Sequence, residues 1–480
     1  MQPENRRFQF ILVLLTLVLA FTLTQSAQAQ TLTTVATFNG ADGYGPLASV
    51  VQATDGNFYG TTGSGGNIFQ EGTFFRVTPG GKLTDLYNFC SDPQCPDGAF
   101  LSSAPILASD GNLYGVTGGG GNSNDAGTVY RMTLGGKLTT VYAFCPALPC
   151  TDGEGPTGLV QGSGGNFFGT TSVAPNSEGT YGGTIFSMSP KGEIKTLHTF
   201  CSRANCMDGD FSMFPPILGS DGNLYGVTYF GGNQQGGLLW ELTAAGAYKV
   251  LYNFCGKSGV CKSANPFTVV RDFNGNFFGT TAFGGANNSG VVFEITANGQ
   301  YIDLHDFDNR NGPTWPYTGL TLANDGNLYG VSGGGVENGG FIFEITLTDG
   351  SFKNLYIFNG PGDASEPPGP LVQGTDGDFY GTTTYGPGNA DGMVFRLSNG
   401  LNPLVETVPA AGKVGKRILI LGNNLTGTTS VTFNGVPAEF TVEKDTFIRA
   451  TVPSGASTGT VSVVTPTGTL NSNPQFVVTK

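Results

Sequence analysis

The sequence predicts an all-β protein: a seven-bladed β-propeller closed by its N-terminal strand and followed by an immunoglobulin-like β-sandwich. Three observations carry this prediction: a short phrase that recurs seven times, a strand count that leaves nothing over, and a change of sequence texture near residue 405. The composition agrees with it, because Gly reaches 77 of 480 residues and charged residues make up only 12%. Glycine reaches the positive φ values of tight turns at little cost, so a turn-rich β protein uses many of them.

The first 29 residues have the features of a signal peptide. Arg6 and Arg7 precede an apolar run over 8–23, and a small-x-small cleavage site follows at 27–29. We therefore expect the mature chain to begin at Gln30 and to be exported to the extracellular space, the cell surface or the periplasm. The alternative is an uncleaved membrane anchor, which the shortness of the apolar run disfavours. No later segment is long and apolar enough to span a membrane.

The charge balance narrows the range of partners. The formal net charge is -13, and loss of the signal peptide removes two arginines and one glutamate, which leaves -14. An acidic surface repels phosphate backbones and anionic lipids. We therefore expect neither nucleic acid nor a membrane surface as a partner.

A tetrapeptide of an asparagine or aspartate, two apolar or aromatic residues and a glycine marks the repeat. Its copies are 51 to 57 residues apart, which is the length of a four-stranded propeller blade. The seven copies are NFYG at 57–60, NLYG at 112–115, NFFG at 166–169, NLYG at 223–226, NFFG at 276–279, NLYG at 327–330 and DFYG at 378–381.

Each repeat is predicted to form four strands, which we name a to d. In the second repeat, strand a ends at a hairpin turn over 109–112, and the tetrapeptide begins strand b. A loop containing a Gly-Gly pair leads to strand c over 127–133, and a second glycine turn leads to strand d over 137–144. No segment of useful length has helical periodicity.

The two ends of the repeat region complete one another. Residues 32–38 read as a strand d with no a, b or c before them, whereas the seventh a–b–c set, over 369–397, has no strand d after it. The first strand therefore completes the last blade and closes the ring, which removes the exposed sheet edges. An open solenoid of seven repeats is the alternative, but it leaves the displaced first strand unexplained.

The repeat resembles the GloVer-type tandem repeat of exported bacterial proteins described as choice-of-anchor. The matching phrases are the recurring tetrapeptide followed by Thr-Thr, the Gly-Gly pair, and strand c segments of the Gly-Thr-Val-Phe-Arg-Ile-Thr type, over roughly residues 31–399. The resemblance implies varied C-terminal surface anchors in such proteins, and it brings no catalytic residues. On this basis we assign residues 30–399 to the propeller.

The sequence texture changes after a linker at 400–404. From residue 405 to 480, short β-branched strands alternate with Gly, Pro and Asn turns, which predicts a β-sandwich. The phrases GNNL, VTFNG, VPSGA and TGTV at 422–425, 431–435, 452–456 and 458–461 resemble an IPT/TIG immunoglobulin-like domain. That resemblance implies an interaction or spacer module.

Eight cysteines form four pairs, each directly after the last aromatic residue of a predicted strand d. An even count at repeated spacing in an exported chain predicts local disulfides. A metal site would need C-x-x-C spacing or nearby histidines, and neither occurs, so we expect no metal and no cofactor. The expected disulfides are Cys90–Cys95, Cys145–Cys150, Cys201–Cys206 and Cys255–Cys261.

Catalytic residues are not evident in the sequence. The two histidines, His198 and His305, occupy a strand d position that other repeats fill with tyrosine, so we interpret them as packing residues. No Ser/His/Asp set, phosphate-binding loop or zinc motif stands out from the repeat.

The loops from strand d to the next strand a are the candidate ligand site. In propellers these loops share a face with the b–c loops, and here they carry aromatic residues next to carboxylates. Aromatic rings stack on the C–H faces of sugars while carboxylates accept hydrogen bonds from hydroxyls. The alternative is that the rings pack the loops and the Asp-Gly pairs form ordinary turns. The candidate residues are Tyr44, Phe100, Phe211, Trp315, Asp97, Asp152 and Asp208.

These observations favour a non-enzymatic binding or cell-surface interaction protein, acting as a monomer. Its partner would be a polysaccharide or a cell-surface protein, held on the face that carries the d–a and b–c loops. One alternative is a polysaccharide lyase or hydrolase that uses loop carboxylates. Another is a structural component of the cell envelope, which would have no well-formed ligand pocket.

Overall fold

A computed structural model describes residues 30–479, apart from residues 102, 175–181, 256–261, 309–315, 334–338 and 360–363. The predicted signal peptide, Cys261 and Trp315 lie outside the described residues, so predictions about them stay predictions. The described chain is all-β, with two short 3-10 turns at Ala204–Cys206 and Pro387–Asn389. Within the described ranges, no helix is long and apolar enough to cross a membrane.

The repeat region contributes 28 of the described strands. In chain order they are β1 (Thr31–Thr37), β2 (Val51–Gln52), β3 (Phe58–Thr61), β4 (Thr73–Val77), β5 (Leu83–Asn88), β6 (Ile106–Leu107), β7 (Leu113–Thr117), β8 (Thr128–Met132), β9 (Leu138–Ala143), β10 (Glu154–Gln161), β11 (Phe167–Val173), β12 (Thr184–Met188), β13 (Ile194–Thr199), β14 (Ile217–Leu218), β15 (Leu224–Thr228), β16 (Leu238–Leu242), β17 (Tyr248–Asn253), β18 (Ser263–Arg271), β19 (Phe277–Gly284), β20 (Val291–Ile295), β21 (Tyr301–Asp306), β22 (Leu320–Leu322), β23 (Leu328–Ser332), β24 (Phe341–Thr346), β25 (Ser351–Ile357), β26 (Val372–Gln373), β27 (Phe379–Thr383) and β28 (Met393–Ser398).

Six sheets each contain four consecutive strands, paired antiparallel in chain order from β2–β5 to β22–β25. The first hairpin of each sheet turns where the sequence predicts it; in the second sheet, Gly111 has φ 83° and donates to the carbonyl of Ala108. The second strand of that sheet, β7, is buried along its whole length. Strand b is therefore a core strand.

The seventh sheet joins the two ends of the repeat region. Its order is β1-β28-β27-β26, and the pairing of β1 with β28 runs from Thr31 opposite Ser398 to Thr37 opposite Met393. The first strand therefore completes the last set, as the strand count predicts.

The glycine of the recurring tetrapeptide has a packing role. Gly60 lies opposite Phe75, and Gly226 lies opposite Trp240, on the neighbouring strand c. A Cβ atom on either glycine would lie 2.5 Å from the facing aromatic ring. The ring lies across the strand at this point because no side chain stands in its way.

The first and last sheets of the repeat region are in contact. The rings of Phe58 and Tyr380 stack with centroids 3.9 Å apart. The Thr382 hydroxyl donates to the carbonyl of Ala48 over 2.8 Å, and the Gln52 side chain accepts from the backbone N–H of Thr375 over 2.9 Å.

The C-terminal region contains ten strands: β29 (Glu406–Val408), β30 (Ala411–Lys413), β31 (Arg417–Leu421), β32 (Ser430–Phe433), β33 (Val436–Pro437), β34 (Phe440–Lys444), β35 (Phe447–Thr451), β36 (Val461–Thr465), β37 (Gly468–Asn471) and β38 (Val477–Thr479). They form two four-stranded sheets, of order β29-β31-β35-β34 and β33-β32-β36-β37, and a parallel pair β30-β38. The core between them includes Ile420, Val431 and Phe476.

The C-terminal region packs against the a–b turns of the repeats, which we call the turn end. Leu421 and Phe447 share one apolar cluster with Tyr59 of the first sheet. The Thr446 hydroxyl donates to the carbonyl of Thr54 over 2.6 Å. The Asn473 side-chain amide donates to the carbonyl of Leu322, in the sixth sheet, over 3.0 Å.

Candidate functional site

The loops that connect strand d to the next strand a are fastened by disulfides. Three are described: Cys90–Cys95, Cys145–Cys150 and Cys201–Cys206. Cys255 is also disulfide-bonded, and its expected partner Cys261 lies outside the described residues. These loops and the neighbouring b–c loops lie at the end of the repeats opposite the turns, which we call the loop end.

Two of the candidate carboxylates support the disulfide loops from inside. Asp97 is buried and accepts hydrogen bonds from the backbone N–H of Cys90 and, over 2.8 Å, from the Tyr87 hydroxyl. Asp152 repeats this arrangement in the next loop, with Tyr142 as its hydroxyl donor. These carboxylates have a structural role that the sequence analysis did not assign to them.

The third candidate carboxylate, Asp208, is also buried, and it accepts from Ser202 and from the backbone N–H of Arg203. Burial alone would raise the pKa of Asp208, but His198, Ser202 and Arg203 hold it below its ordinary value. Asp97, Asp152 and Asp208 are therefore engaged within their own loops, their role in ligand binding stays a prediction, and our proposals do not use them.

The two histidines occupy packing positions. The His198 ring stacks on Tyr248 with centroids 3.9 Å apart, and the His305 ring stacks on Phe352 at 3.7 Å. Burial lowers the pKa of His305, which favours the neutral ring. Both residues thus do what their strand d position predicts.

One cluster of potential metal ligands occurs within the described part of the chain: Cys145, Cys150 and Glu154. The two cysteines are joined in a disulfide. A metal needs free thiolates, so this cluster does not hold one.

A central cavity of about 480 Å³ opens at the loop end. The chain just before or within strand a of all seven sheets contributes to its lining, from Leu47 in the first sheet to Pro370 in the last. Of the candidate residues, Phe211 lines this cavity, and Phe100 contacts Gly118 and Gly119 beside it.

Phe100 and Phe211 have an unusual backbone. Their φ angles are 61° and 57°, and the corresponding residues in the neighbouring loops are Gly45 and Gly155, with φ of 56° and 59°. Glycine is the natural residue for this left-handed conformation, which is unfavourable for a bulky side chain. Phe100 is nevertheless 58% exposed, so core packing does not account for its presence. Strained residues of this kind concentrate at functional sites.

An aromatic cluster at the loop end was not predicted from the sequence. Phe211 stacks on Phe230, and Tyr229 contacts both Phe230 and Phe267, with centroid distances of 4.8–6.2 Å. Phe267 in turn contacts Tyr317 at 5.7 Å. The signal that could have revealed it is an aromatic residue shortly after strand b. Phe230, Phe283 and Tyr385 occupy a position that the four other repeats fill with Gly, Ser or Val.

Tyr44, Tyr317 and Tyr385 present exposed rings at the loop end. The three residues are 39%, 41% and 43% exposed, and Glu366 is exposed as well. Burial raises the pKa of Tyr44, and Tyr385, Asp391 and Glu366 raise it further. Burial, Tyr229 and Glu366 likewise raise the pKa of Tyr317. The chain at Glu366 runs beside Tyr385, since Ser365 pairs with Tyr385 and the Glu366 carbonyl accepts from the Thr384 hydroxyl over 3.0 Å.

Fold and site together define an all-β, propeller-like repeat protein with a C-terminal immunoglobulin-like domain. The chain matches the Gloeobacter/Verrucomicrobia repeat over residues 18–212 and 212–435 and the IPT/TIG domain over residues 404–478. It therefore belongs to the Gloeobacter/Verrucomicrobia repeat family, and both resemblances drawn from the sequence are confirmed. No curated protein matches the chain.

Several solved structures are similar at low identity. A Bacteroides thetaiotaomicron protein of unknown function is 12% identical, with a TM-score of 0.40, and the match covers 77% of this chain and 76% of that one. An oligogalacturonate lyase in complex with manganese is 11% identical, with a TM-score of 0.48 and coverages of 78% and 94%. PorZ, a surface component of the Porphyromonas gingivalis type-IX secretion system, is 14% identical, with a TM-score of 0.43 and coverages of 88% and 58%. Likenesses at this level carry no information about the activity of this chain.

Proposed function

We propose that this chain is an exported, non-enzymatic binding protein whose closed seven-bladed β-propeller binds a glycan at its loop end. The observation that carries the proposal is the set of exposed rings of Tyr44, Tyr317 and Tyr385 at the loop end, with the exposed residue Glu366 directly after the bridge between Ser365 and Tyr385. Such rings stack on the C–H faces of sugars, and the carboxylate accepts hydrogen bonds from sugar hydroxyls.

Four features support the closed ring over the open solenoid. There are seven four-stranded sheets in the described repeat region, the N-terminal strand completes the last of them, and the first and last sheets are in contact. All seven sheets also line one central cavity. The proposed units are a signal peptide at 1–29, the propeller at 30–399, a linker at 400–404 and the immunoglobulin-like domain at 405–480.

The disulfides support export. Disulfides persist in oxidising compartments, which include the extracellular space and the bacterial periplasm. Three described disulfides and a bonded Cys255 therefore favour a location outside the cytoplasm.

The buried carboxylates favour binding over the lyase or hydrolase alternative. A glycosidase needs two carboxyl groups facing one substrate. Asp97, Asp152 and Asp208 face their own loops and are engaged in hydrogen bonds. Of the two acids that act on Tyr44, Glu366 is exposed and would orient a ligand, whereas Asp391 is half-buried.

The test is a polysaccharide panel with the mature chain, residues 30–480, scored for binding and for the release of reducing or unsaturated ends. We expect binding without turnover, weakened about fivefold by Tyr385→Ala, because one aromatic stacking contact contributes about 1 kcal/mol. Glu366→Gln should weaken binding without disturbing the fold. Phe273→Ala is the matched control, since Phe273 is an equally exposed aromatic residue at the turn end.

Each other outcome has a definite meaning. Turnover that Glu366→Gln abolishes would replace the proposal with the enzyme alternative. The absence of binding across the panel, or a Tyr385→Ala protein that binds like the parent, would reject the glycan site and favour a structural role in the envelope.

A further inference from the structure

The central cavity differs chemically from the exposed rings of Tyr44, Phe100, Tyr317 and Tyr385 at the loop end, which we call the aromatic rim. Its described lining contains no ionisable side chain. Five prolines, several glycines and alanines, and apolar side chains such as Leu159, Met213 and Phe214 make up most of the wall. A charged group would lose its hydration there without gaining a partner.

Four of the five hydroxyl groups in the described wall have partners within the protein. Ser49 donates to the carbonyl of Pro370, and Ser172 donates to the carbonyl of Gly155 over 3.1 Å. Thr157 is hydrogen-bonded to Thr170 over 2.7 Å. A polyhydroxylated ligand would therefore find few free donors in the wall and would leave its own hydroxyls unsatisfied.

The two ends of the cavity region also differ. At the loop end, Leu47 and Met213 line the cavity and expose apolar surface to solvent. Towards the turn end, Leu218 and Leu322 of the inner strands border a second cavity, shared with residues 471–475 of the immunoglobulin-like domain. A ligand thus enters from the loop end, and the C-terminal domain lies over the other end.

We propose that the central cavity is a separate binding site for one uncharged, predominantly apolar small molecule. Its volume of about 480 Å³ falls within the range of about 300–1,000 Å³ that is typical of small-molecule sites. The uncharged wall disfavours anions and cations, and the scarcity of free polar side chains disfavours sugars. The site goes beyond the proposed glycan rim and does not depend on it.

The first experiment is a fluorescence titration of the mature chain with the neutral dye N-phenyl-1-naphthylamine. We expect saturable binding at one dye per chain, displaced by 1-decanol and far more weakly by decanoate or glucose. Met213→Lys and Leu47→Lys place a charge at the entrance, and each should weaken dye binding about tenfold. Both residues are exposed, so these variants should fold.

Two controls separate this site from its surroundings. Ile357→Lys adds the same charge at an exposed apolar residue of an outer strand and should leave dye binding unchanged. Phe100→Ala removes a rim ring outside the cavity lining and should also leave it unchanged. Equal dye affinity in the parent, Met213→Lys and Leu47→Lys proteins, or equal competition by decanol and decanoate, would overturn the proposal. Loss of glycan binding alone would count against the rim only.

Discussion

The turn end and the loop end of the repeat region differ in how closely the repeats resemble one another. At the turn end, five of the seven a–b turns repeat one hydrogen-bonded arrangement, and the immunoglobulin-like domain covers much of this end. At the loop end, equivalent positions hold Gly, Phe, Asn or Glu, and aromatic side chains stay exposed. The difference indicates that the turn end holds the sheets and the immunoglobulin-like domain together, whereas the loop end varies between repeats around an open cavity.

The largest expected loss of stability comes from weakening the contact between the immunoglobulin-like domain and the turn end. Leu421 is buried in the apolar cluster that joins the immunoglobulin-like domain to the first sheet. Leu421→Ala leaves a cavity there and should lower the free energy of unfolding by about 2–5 kcal/mol. The same change at the exposed loop-end residue Leu47 should alter it by less than about 0.5 kcal/mol. Urea unfolding followed by fluorescence measures both, and equal losses would contradict the comparison.

The next effect is the pH dependence of stability at Glu406, which lies opposite Leu421 on the neighbouring strand of the C-terminal region. Burial raises the pKa of Glu406 to about 7. Because the folded state then holds this proton more tightly than the unfolded state, stability falls as the pH rises from about 4.5 to about 7 and is level above that. We expect a loss of about 1–3 kcal/mol over this range, reduced from the full value because the side chain is partly exposed.

Glu406→Gln provides the control for this pH dependence. The amide cannot ionise, so the variant should be more stable than the parent at pH 8 and about equal to it at pH 4.5. Thermal unfolding at several pH values measures the difference. Parallel curves for the two proteins would show that Glu406 does not carry the effect.

A smaller effect is expected at the loop end. Changing both Cys145 and Cys150 to Ser removes one disulfide and should lower the free energy of unfolding by about 2 kcal/mol, because the bridged loop is short. Asp152 would still hold the loop through the Cys145 backbone N–H and Tyr142, so the ring should stay folded. Unchanged denaturant unfolding in the double variant would show that the hydrogen bonds alone fix this loop.

The regular parts of the molecule could be predicted from the sequence because seven copies repeat the same packing problem. The glycine of the tetrapeptide recurs since an aromatic ring of strand c lies across it, as at Gly60 and Phe75. The disulfide spacing and the pairing of the displaced first strand could be predicted for the same reason. Repetition shows which residues the packing of every sheet requires.

The candidate site was harder to predict because it depends on how the loops fold. Asp97 reads as an exposed loop acid in the sequence, yet the bridged loop turns its carboxylate towards Cys90 and Tyr87. Tyr385 comes close to the chain at Glu366 only through the bridge between Ser365 and Tyr385. A single sequence shows residue types and spacing, whereas the direction of a side chain in an irregular loop depends on tertiary contacts.

The smallest expected effect tests why the turn end is regular. In five turns an aspartate accepts a hydrogen bond from a tyrosine four residues later; in the second sheet, the Tyr114 hydroxyl donates to Asp110 over 3.0 Å. In the two other turns the aspartate is replaced by Gly164 or Asn274, and the tyrosine is replaced by phenylalanine. The hydroxyl therefore occurs only where its acceptor does, because burying it without one is costly.

A double-mutant cycle in the third sheet measures this dependence. Phe168→Tyr alone should not stabilise the protein, since the new hydroxyl has no aspartate to reach. Gly164→Asp should fit without strain, because a Cβ there would meet nothing within 4 Å. The two changes together should be more stable than the sum of the single changes by about 1 kcal/mol, and Tyr114→Phe in the second sheet should lose a similar amount. Additive effects in the third sheet would mean that the pairing of aspartate with tyrosine has another origin than this hydrogen bond.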